Sequence, residues 1–269
     1  MPAFALVTGA SSGLGRELVR QLVRDRGMTV LATARRRDRL EALAAEFPPG
    51  RILIEPGDLA ESAFRQRLWE RAEAFAGGVD LLVNNAGLGN YSEFSVADFQ
   101  KLERLFEVNV IALMDLTQRG VRHMRARGGG QVLQISSVLG FVGLPYSAAY
   151  VASKHAVNGL VKSLRYELRG TGVRVWAACP GRTESEFSNV ALGDATVTDR
   201  VHRGASTEKV VRAIVRAIDG RRTFVYPTWD AWAMVAFSRL LPGPFDLFMD
   251  RWSPGFFRGE LERARGEKP

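Results

Sequence analysis

An alternation of short apolar runs with longer segments of helical periodicity constrains the fold of this chain more than any other feature. The runs are apolar or β-branched and lack alternating polar positions, which is typical of parallel strands buried on both faces. They cover residues 4–7, 29–33, 52–54, 81–83, 132–135, 173–178 and 224–226. The helical segments cover residues 13–25, 37–46, 60–76, 95–126, 147–170 and 207–219. This alternation predicts an α/β fold of the Rossmann type, with a doubly wound, mostly parallel, seven-stranded sheet.

The chain of 269 residues shows no internal repeat or linker, so we predict a single domain. Residues 1–226 carry the alternation, and residues 227–269 are predicted to be an apolar, helical C-terminal extension. The extension has three possible roles: it packs on the same domain or on a partner subunit, it lines an apolar pocket, or it lies on a membrane surface. We favour packing over peripheral membrane contact. The polar residues 188–206 are predicted to form a mobile lid.

Composition argues against several kinds of protein and site. Cys179 is the only cysteine and ends an apolar run, so it is expected to be a small buried side chain and not part of a disulfide or zinc site. The histidines, His123, His155 and His202, are dispersed, so no metal site is expected. The net charge of +8 comes mostly from singly scattered arginines, so we expect no nucleic-acid binding. The chain shows neither a signal-peptide pattern nor a long apolar span, and a cytoplasmic location is expected.

A glycine-rich turn follows the first predicted strand. The segment TGASSGLG at residues 8–15 stands between a strand and a helix, where a Rossmann-type sheet binds a dinucleotide. Glycines allow the backbone to approach a pyrophosphate closely, and the N-terminus of the helix offers free N–H groups and a positive dipole end. The alternative is a purely structural turn. We predict cofactor contacts from Gly9, Ser11, Ser12, Gly13, Leu14 and Gly15.

Three arginines follow the second predicted strand. Folds that bind NAD usually place a carboxylate here for the ribose 2′-hydroxyl, but this chain continues as Ala34-Arg35-Arg36-Arg37. A guanidinium suits a 2′-phosphate, because it forms charge-assisted bidentate hydrogen bonds. We therefore predict NADP(H) as the cofactor, with Arg35 as the first choice for the phosphate contact and Ser11 as a nearby hydroxyl donor. The alternative is a solvated basic turn.

Tyr150 and Lys154 are spaced to lie one turn apart on one face of a predicted helix. A nearby ammonium favours the tyrosinate form of a phenol whose ordinary pKa is about 10. A shift of about three units takes roughly 4 kcal/mol, which requires a desolvated pair helped by an oxidised nicotinamide. Ser137 ends the strand before this helix, where its hydroxyl can donate to a substrate oxygen. Each feature also has a simpler interpretation when it is taken singly. Tyr150 and Lys154 could form a half-exposed contact on the helix surface, and Ser137 could cap a helix or a turn.

Several motifs together resemble the short-chain dehydrogenase/reductase family, in order and spacing, over about residues 3–226. They are TGASSGLG at 8–15, Asp58 in GDLAES, NNAG at 84–87, Asn109 in VNV, ISS at 135–137, YVASK at 150–154 and PG at 180–181. The resemblance implies an oxidoreductase that transfers a hydride between a nicotinamide cofactor and a small-molecule carbonyl or secondary alcohol. The alternative is a nucleotide-binding scaffold without activity, which loss of catalytic residues would mark, and none is lost.

The resemblance also implies roles for individual residues. Asn109, Ser137, Tyr150 and Lys154 would form the catalytic tetrad: Tyr150 would exchange the proton, and Ser137 would orient the carbonyl. Lys154 would hold the nicotinamide ribose and lower the tyrosine pKa, and Asn109 would hold a water that relays protons to Lys154. For Arg182, solvent is favoured over an anionic substrate group. Further cofactor contacts are implied for Asp58, Leu59, Asn85, Ala86, Gly87, Pro180, Gly181, Thr183 and Ser185.

The substrate pocket lies where the resemblance ends, because relatives build it from the segment after the PG pair and from the C-terminus. The apolar extension predicts a hydrophobic substrate. Long helices near 95–126 and 147–170 often pair in relatives, so the resemblance implies a homodimer or homotetramer. The physiological substrate and the direction of the reaction are left open by the sequence.

Overall fold

The central sheet is seven-stranded and parallel, as the sequence predicts. The computed structural model describes residues 3–75, 78–184, 186–187, 191–193 and 204–252. The strands are β1 Phe4–Thr8, β2 Thr29–Ala34, β3 Ile52–Pro56, β4 Leu81–Asn84, β5 Gly130–Ile135, β6 Val173–Ala178 and β7 Phe224–Val225. Their order is β7-β6-β5-β4-β1-β2-β3, and every neighbouring pair is parallel. Each strand ends within two residues of its predicted bounds.

Helices cover both faces of this sheet, which confirms the doubly wound Rossmann-type fold. They are α1 Gly13–Arg26, α2 Arg37–Ala44, α3 Ser62–Glu73, α4 Phe99–Phe106, α5 Leu113–Ala126, α6 Ala148–Glu167, α7 Thr207–Arg216, α8 Trp229–Leu240 and α9 Pro242–Trp252. On one face, α1, α2 and α7 bury Leu18, Leu40 and Ile214. On the other face, α3, α5 and α6 bury Leu68, Leu116 and Val161. The two apolar layers hold the sheet between them, so the carboxyl ends of the strands keep fixed positions.

Local signals set several helix ends. Gly27 terminates α1 in a left-handed conformation with φ of 62°, and a Cβ would be strained there. At the other end of a helix, the Asp98 carboxylate accepts a hydrogen bond from the Gln100 N–H and caps α4. The helix predicted over 13–25 is therefore confirmed, with its end one residue later than predicted.

The helical segment predicted over 95–126 is confirmed from Phe99 to Ala126, but it is not α-helical throughout. The segment begins with a 3₁₀ turn at Phe94–Val96, and a π-helical turn at Glu107–Ala112 separates α4 from α5. A π turn inserts an extra residue, and such insertions are frequent at functional sites. Asn109 lies in this turn and bonds to the backbone of Leu88, a long-range contact that helical periodicity does not encode.

The C-terminal extension is helical, as predicted, and its described part packs on the Rossmann domain. Ala231 and Val235 of α8 pack against Val138, which follows β5. Phe245 of α9 is buried, and its ring lies 5.4 Å from the ring of Phe237 in an edge-to-face arrangement. Within the described residues, no helix combines the length and apolar character that a membrane crossing needs. Residues 253–269 lie outside the described residues.

Two small parallel strand pairs lie beside the main sheet. Asn90–Tyr91 pairs with Leu192–Gly193, and Thr183–Glu184 pairs with Ala205–Ser206. The lid predicted over 188–206 falls mostly outside the described residues, so that prediction remains untested.

Candidate active site

A cleft of about 840 Å³ opens at the carboxyl ends of β1, β4 and β5. The strand order reverses between β1 and β4, and doubly wound sheets bind their ligands at such a switch point. Every predicted site residue within the described chain lines this cleft except Asn109. Ser185, the remaining predicted contact, lies outside the described residues. The fold therefore brings together residues spread from position 9 to position 183.

The glycine turn is packed tightly against the NNAG segment. A Cβ on Gly15 would overlap the carbonyl oxygen of Gly9 and the side-chain amide of Asn85. That amide donates hydrogen bonds to Thr8 O at 2.9 Å and to Gly9 O at 3.2 Å. Thr8 in turn accepts at Oγ1 from the N–H groups of Asn85 and Ala86, both at 3.0 Å. These contacts hold the glycine backbone in place at the start of α1. A helix N-terminus approached by glycine backbone fits the pyrophosphate of a dinucleotide.

Arg36, the neighbour of the predicted phosphate contact Arg35, makes contacts with the glycine turn. Arg36 Nη2 donates to Ser11 Oγ at 3.1 Å and to Ser12 Oγ at 2.9 Å. Arg35 also lines the cleft but is exposed. The two guanidinium groups lie where β2 ends without a carboxylate, so both are candidates for a phosphate contact. The sequence motif contained Arg36 but did not rank it first.

Asp58 is paired within the protein. Its carboxylate accepts from the backbone N–H of Ala60 at 3.0 Å and forms an ion pair with Arg104. Burial acts to raise the pKa of Asp58, but the Ala60 N–H and the Arg104 guanidinium outweigh it and hold the pKa below its ordinary value. Arg104 lines the cleft beside the predicted adenine contacts Asp58 and Leu59. No motif in the sequence pointed to Arg104, since it reaches Asp58 from a different helix.

Ser137, Tyr150 and Lys154 meet at the inner end of the cleft. The Lys154 Nζ donates to the carbonyl oxygen of Ile135, at the end of β5, at 2.9 Å. The same Nζ lies 5.6 Å from the centre of the Tyr150 ring. Ser137 follows β5, and its Oγ accepts from Leu139 N at 3.1 Å. The helix α6 thus places a phenol and an ammonium beside the serine at the strand end, as their spacing predicts.

The protein's own groups shift the pKa values of Tyr150 and Lys154 toward their neutral forms. Burial raises the pKa of Tyr150, the nearby Tyr91 raises it further, and the hydrogen bond with Ser137 lowers it by less. Burial also lowers the pKa of Lys154, to about 8. The protein groups alone therefore keep the phenol protonated, because the cost of burying a charge outweighs the hydrogen bond with Ser137.

Asn109 lies behind the cleft and ties two elements together. Its Oδ1 accepts from Leu88 N at 2.7 Å, and its Nδ2 donates to Leu88 O at 2.9 Å and to Ser153 Oγ at 3.1 Å. Ser153 belongs to α6, between Tyr150 and Lys154. Asn109 thus connects the π turn, the segment after NNAG and α6, whereas the water relay implied by the resemblance remains a prediction.

The outer part of the cleft is apolar and includes the C-terminal extension. Its lining includes Leu144, Phe187, Met234, Phe248, Met249 and Trp252. The ring of Phe187 lies 5.7 Å from the ring of Tyr150. The extension thus packs on its own domain and also lines the cleft, which joins two of the three roles considered. Arg182 is exposed and also lines the cleft.

Cys179 and the histidines show no sign of a second site. Cys179 is buried, and burial raises the pKa of its thiol to about 12, so the reactive thiolate is disfavoured. Among the residues that the structure describes, no group of three or more His, Cys, Asp and Glu side chains could hold a metal ion.

Comparisons with known proteins agree with this geometry. The family model described as short chain dehydrogenase matches residues 3–194. An uncharacterized oxidoreductase of Myxococcus xanthus is 35% identical over 243 residues, which cover 89% of this chain and 93% of that protein. A ketoacyl reductase of Nostoc, HetN, is 32% identical over 226 residues, covering 82% of this chain and 76% of that protein.

Solved structures give the same result. A short-chain dehydrogenase from Streptomyces avermitilis has a TM-score of 0.79 and 28% identity, covering 93% of this chain and 95% of its own. One from Burkholderia cenocepacia, solved in complex with NADP, has a TM-score of 0.77 and 26% identity, covering 93% and 96%. This chain therefore belongs to the short-chain dehydrogenase family and is an oxidoreductase acting on CH–OH or C=O groups.

Proposed function

We propose that this protein is an NADP(H)-dependent oxidoreductase that interconverts a carbonyl and a secondary alcohol on a hydrophobic small molecule, with Tyr150 as the general acid and base. The observation that carries this proposal is one cleft that holds Ser137, Tyr150 and Lys154 together with the glycine turn and two arginines. The nicotinamide ring, when bound, supplies or accepts the hydride and is positively charged in its oxidised form.

The protein's own groups manage the proton. In the reductive direction, Tyr150 Oη gives its proton to the substrate oxygen, and Ser137 Oγ donates a hydrogen bond to the same oxygen as negative charge develops. Burial favours the protonated phenol, which is the form that donates. In the oxidative direction, Tyr150 Oη takes the proton back, and the Lys154 ammonium stabilises the resulting tyrosinate. Asn109 keeps the helix that carries both groups in place through Ser153.

The preference for NADP(H) follows from charge at the end of β2. A 2′-phosphate there would meet Arg35 and Arg36 and no carboxylate from the strand end. To test it, kcat/KM for NADPH and for NADH would be compared in the wild type, Arg35→Met and Arg36→Met. We expect the NADPH preference to fall more in Arg36→Met, because Arg36 is held by Ser11 and Ser12. Equal kcat/KM for the two cofactors in the wild type would contradict the preference.

The chemistry is tested by one tyrosine substitution and its matched control. NADPH absorbance is followed with a panel of hydrophobic ketones and aldehydes, and Tyr150→Phe is compared with Tyr166→Phe on the same helix. Tyr166 is 71% exposed, so its hydroxyl is not expected to matter. Tyr150→Phe should lower kcat by about 10²- to 10⁴-fold while NADPH still binds. A Tyr150→Phe variant that retains turnover would exclude the mechanism.

The hydrophobic nature of the substrate is inferred from the wall of the cleft. The side chains of Met234, Phe248, Met249 and Trp252 bring apolar surface to the part of the cleft beyond Tyr150. Pockets of this kind gain affinity from apolar area and orientation from a few polar groups. Within a series of ketones, kcat/KM should therefore rise with the apolar bulk of the substituent.

We also infer a cytoplasmic homodimer or homotetramer. Phe106, Ile111 and Met114 are exposed along the helical region that often pairs in relatives, and a water-exposed apolar surface favours a protein contact. Light scattering after gel filtration measures this directly, and a monomer at micromolar concentration would contradict it. Trp229 and Leu240 are exposed on α8, so co-sedimentation of the full chain with liposomes tests the less favoured membrane contact.

A further inference from the structure

A carboxylate reaches Arg36, which lines the cleft, from a distant part of the chain. Glu186 Oε2 lies 2.6 Å from Arg39 Nη1 and 3.4 Å from Arg36 Nη1. The same Arg36 donates to the serine hydroxyls of the glycine turn. No carboxylate stands at the end of β2 itself, but Glu186, 150 positions after Arg36 in the sequence, brings one to that arginine.

The position of Glu186 is set by structure on both sides of it. Before it, the strand Thr183–Glu184 pairs with Ala205–Ser206. After it, the Phe187 ring contacts Tyr150, and a Cβ built on Gly89 would lie 3.0 Å from that ring. These contacts direct the carboxylate toward the arginines.

The carboxylate is ionised where it meets the arginines. The hydrogen bond from Arg39 and the positive charge of Arg36 hold the pKa of Glu186 below its ordinary value, against the effect of partial burial. The three side chains are about 40% exposed, at 43% for Glu186, 38% for Arg36 and 37% for Arg39. Water and other anions can therefore exchange with this ion pair.

A carboxylate and a phosphate accept hydrogen bonds from the same guanidinium donors. Both anions bind a guanidinium through parallel, charge-assisted hydrogen bonds, and both repel each other at contact distance. A phosphate placed against Arg36 must displace Glu186 or share the guanidinium with it. Specificity is a difference between two affinities, and a residue that opposes only one ligand changes it directly.

We propose that Glu186 is a specificity-determining residue, whose carboxylate competes with the 2′-phosphate of the cofactor for Arg36. The proposal rests on the NADP(H) preference inferred above. Glu186 would weaken the binding of a 2′-phosphorylated cofactor and leave binding of the unphosphorylated one unchanged. Because the ion pair is partly exposed, we expect an effect of about two- to fivefold on affinity.

The experiment uses two probes that differ only in the 2′-phosphate and lack nicotinamide, namely 2′,5′-ADP and 5′-AMP. Their dissociation constants are measured by calorimetry at low ionic strength on the full-length wild type, Glu186→Gln, Glu186→Ala and Glu184→Gln. Glu184 carries the same charge two residues earlier in the same segment and is exposed, so it controls for the general effect of net charge. Circular dichroism and thermal melts verify that each variant is folded.

The expected result is tighter binding of 2′,5′-ADP by about two- to fivefold in both Glu186 variants, with 5′-AMP unchanged and Glu184→Gln equal to wild type. The role of Glu186 would be overturned by any of three results. These are an equal gain in affinity for both probes, an equal gain in affinity in Glu184→Gln, and no gain in affinity in the Glu186 variants. If the wild type prefers 2′,5′-ADP and the Glu186 variants do not differ from it, only this inference fails. If wild type and variants alike bind both probes equally, the proposed NADP(H) preference fails as well.

Discussion

Replacing Asn109 by alanine should destabilise the fold as well as the chemistry. Its side-chain amide makes three hydrogen bonds, two with the backbone of Leu88 and one with Ser153. Asn109 is only 1% exposed, so solvent does not readily replace the lost partner. The alanine variant leaves the N–H and C=O of Leu88 and the hydroxyl of Ser153 without this partner.

The magnitude follows from these bonds. A typical intramolecular hydrogen bond contributes about 1 kcal/mol net, and a buried group left unpaired costs about 1–3 kcal/mol. Three bonds therefore give a loss of about 3 kcal/mol in the free energy of unfolding. For a domain of this size, that corresponds to a fall in Tm of roughly 6–12 °C.

Equilibrium unfolding in urea, followed by circular dichroism, measures this loss. Glu103→Ala is the matched control, because Glu103 is exposed on the neighbouring α4 and should change stability by no more than about 0.5 kcal/mol. Turnover of Asn109→Ala should be assayed well below its Tm, so that a fall in kcat reflects the site. A loss of less than about 1 kcal/mol would refute the argument that the amide holds these elements together.

Three further predictions concern packing, charge and pH. Gly15→Ala should abolish NADPH binding measured by calorimetry, because its Cβ would overlap the backbone of Gly9, and near-normal affinity would contradict this reading of the turn. Arg65→Met should cost about 3–5 kcal/mol in urea unfolding, because the buried guanidinium bonds two carboxylates and two carbonyls; a loss below about 1 kcal/mol would disagree. Burial lowers the pKa of Lys154 from 10.5 to about 8. Between these two pH values the unfolded chain holds a proton that the folded protein has released. The free energy of unfolding therefore rises with pH over this range. From pH 8 to pH 10, the free energy of unfolding of the wild type should rise by about 2 kcal/mol more than that of Lys154→Met. If the difference in unfolding free energy between the two proteins stays constant with pH, the prediction is contradicted.

The choice between Arg35 and Arg36 shows a limit of reading the sequence. Consecutive residues of an extended chain point to opposite sides, so a one-residue difference in the backbone decides which guanidinium faces the glycine turn. Arg36 is extended, with φ of −87° and ψ of 95°, and it is the residue that reaches Ser11 and Ser12. Motif spacing identified the basic segment, but it carries no information on which guanidinium bonds to the serines of the glycine turn.

The π turn and the tyrosine pKa show two other limits. Apolar spacing over 95–126 predicts a helix but not the π turn within it, where Asn109 bonds to the backbone of Leu88. The pKa of Tyr150 depends on how deeply the phenol is buried, which a spacing of four residues does not reveal. In both cases a local pattern identified the residue, and the packing around it determined its environment.

By itself, the sequence determined the features that depend on local order: seven strands, the helices that cover them, the glycine turn at 8–15 and a tyrosine one helical turn from a lysine. Backbone periodicity and glycine conformation act over a few residues, so they can be read directly from the chain. Only the tertiary structure decided that Arg104 pairs with Asp58, that α8 and α9 line the cleft and that Glu186 meets Arg36. Those contacts join residues far apart in sequence, and they depend on how the loops between the strands run across the edge of the sheet.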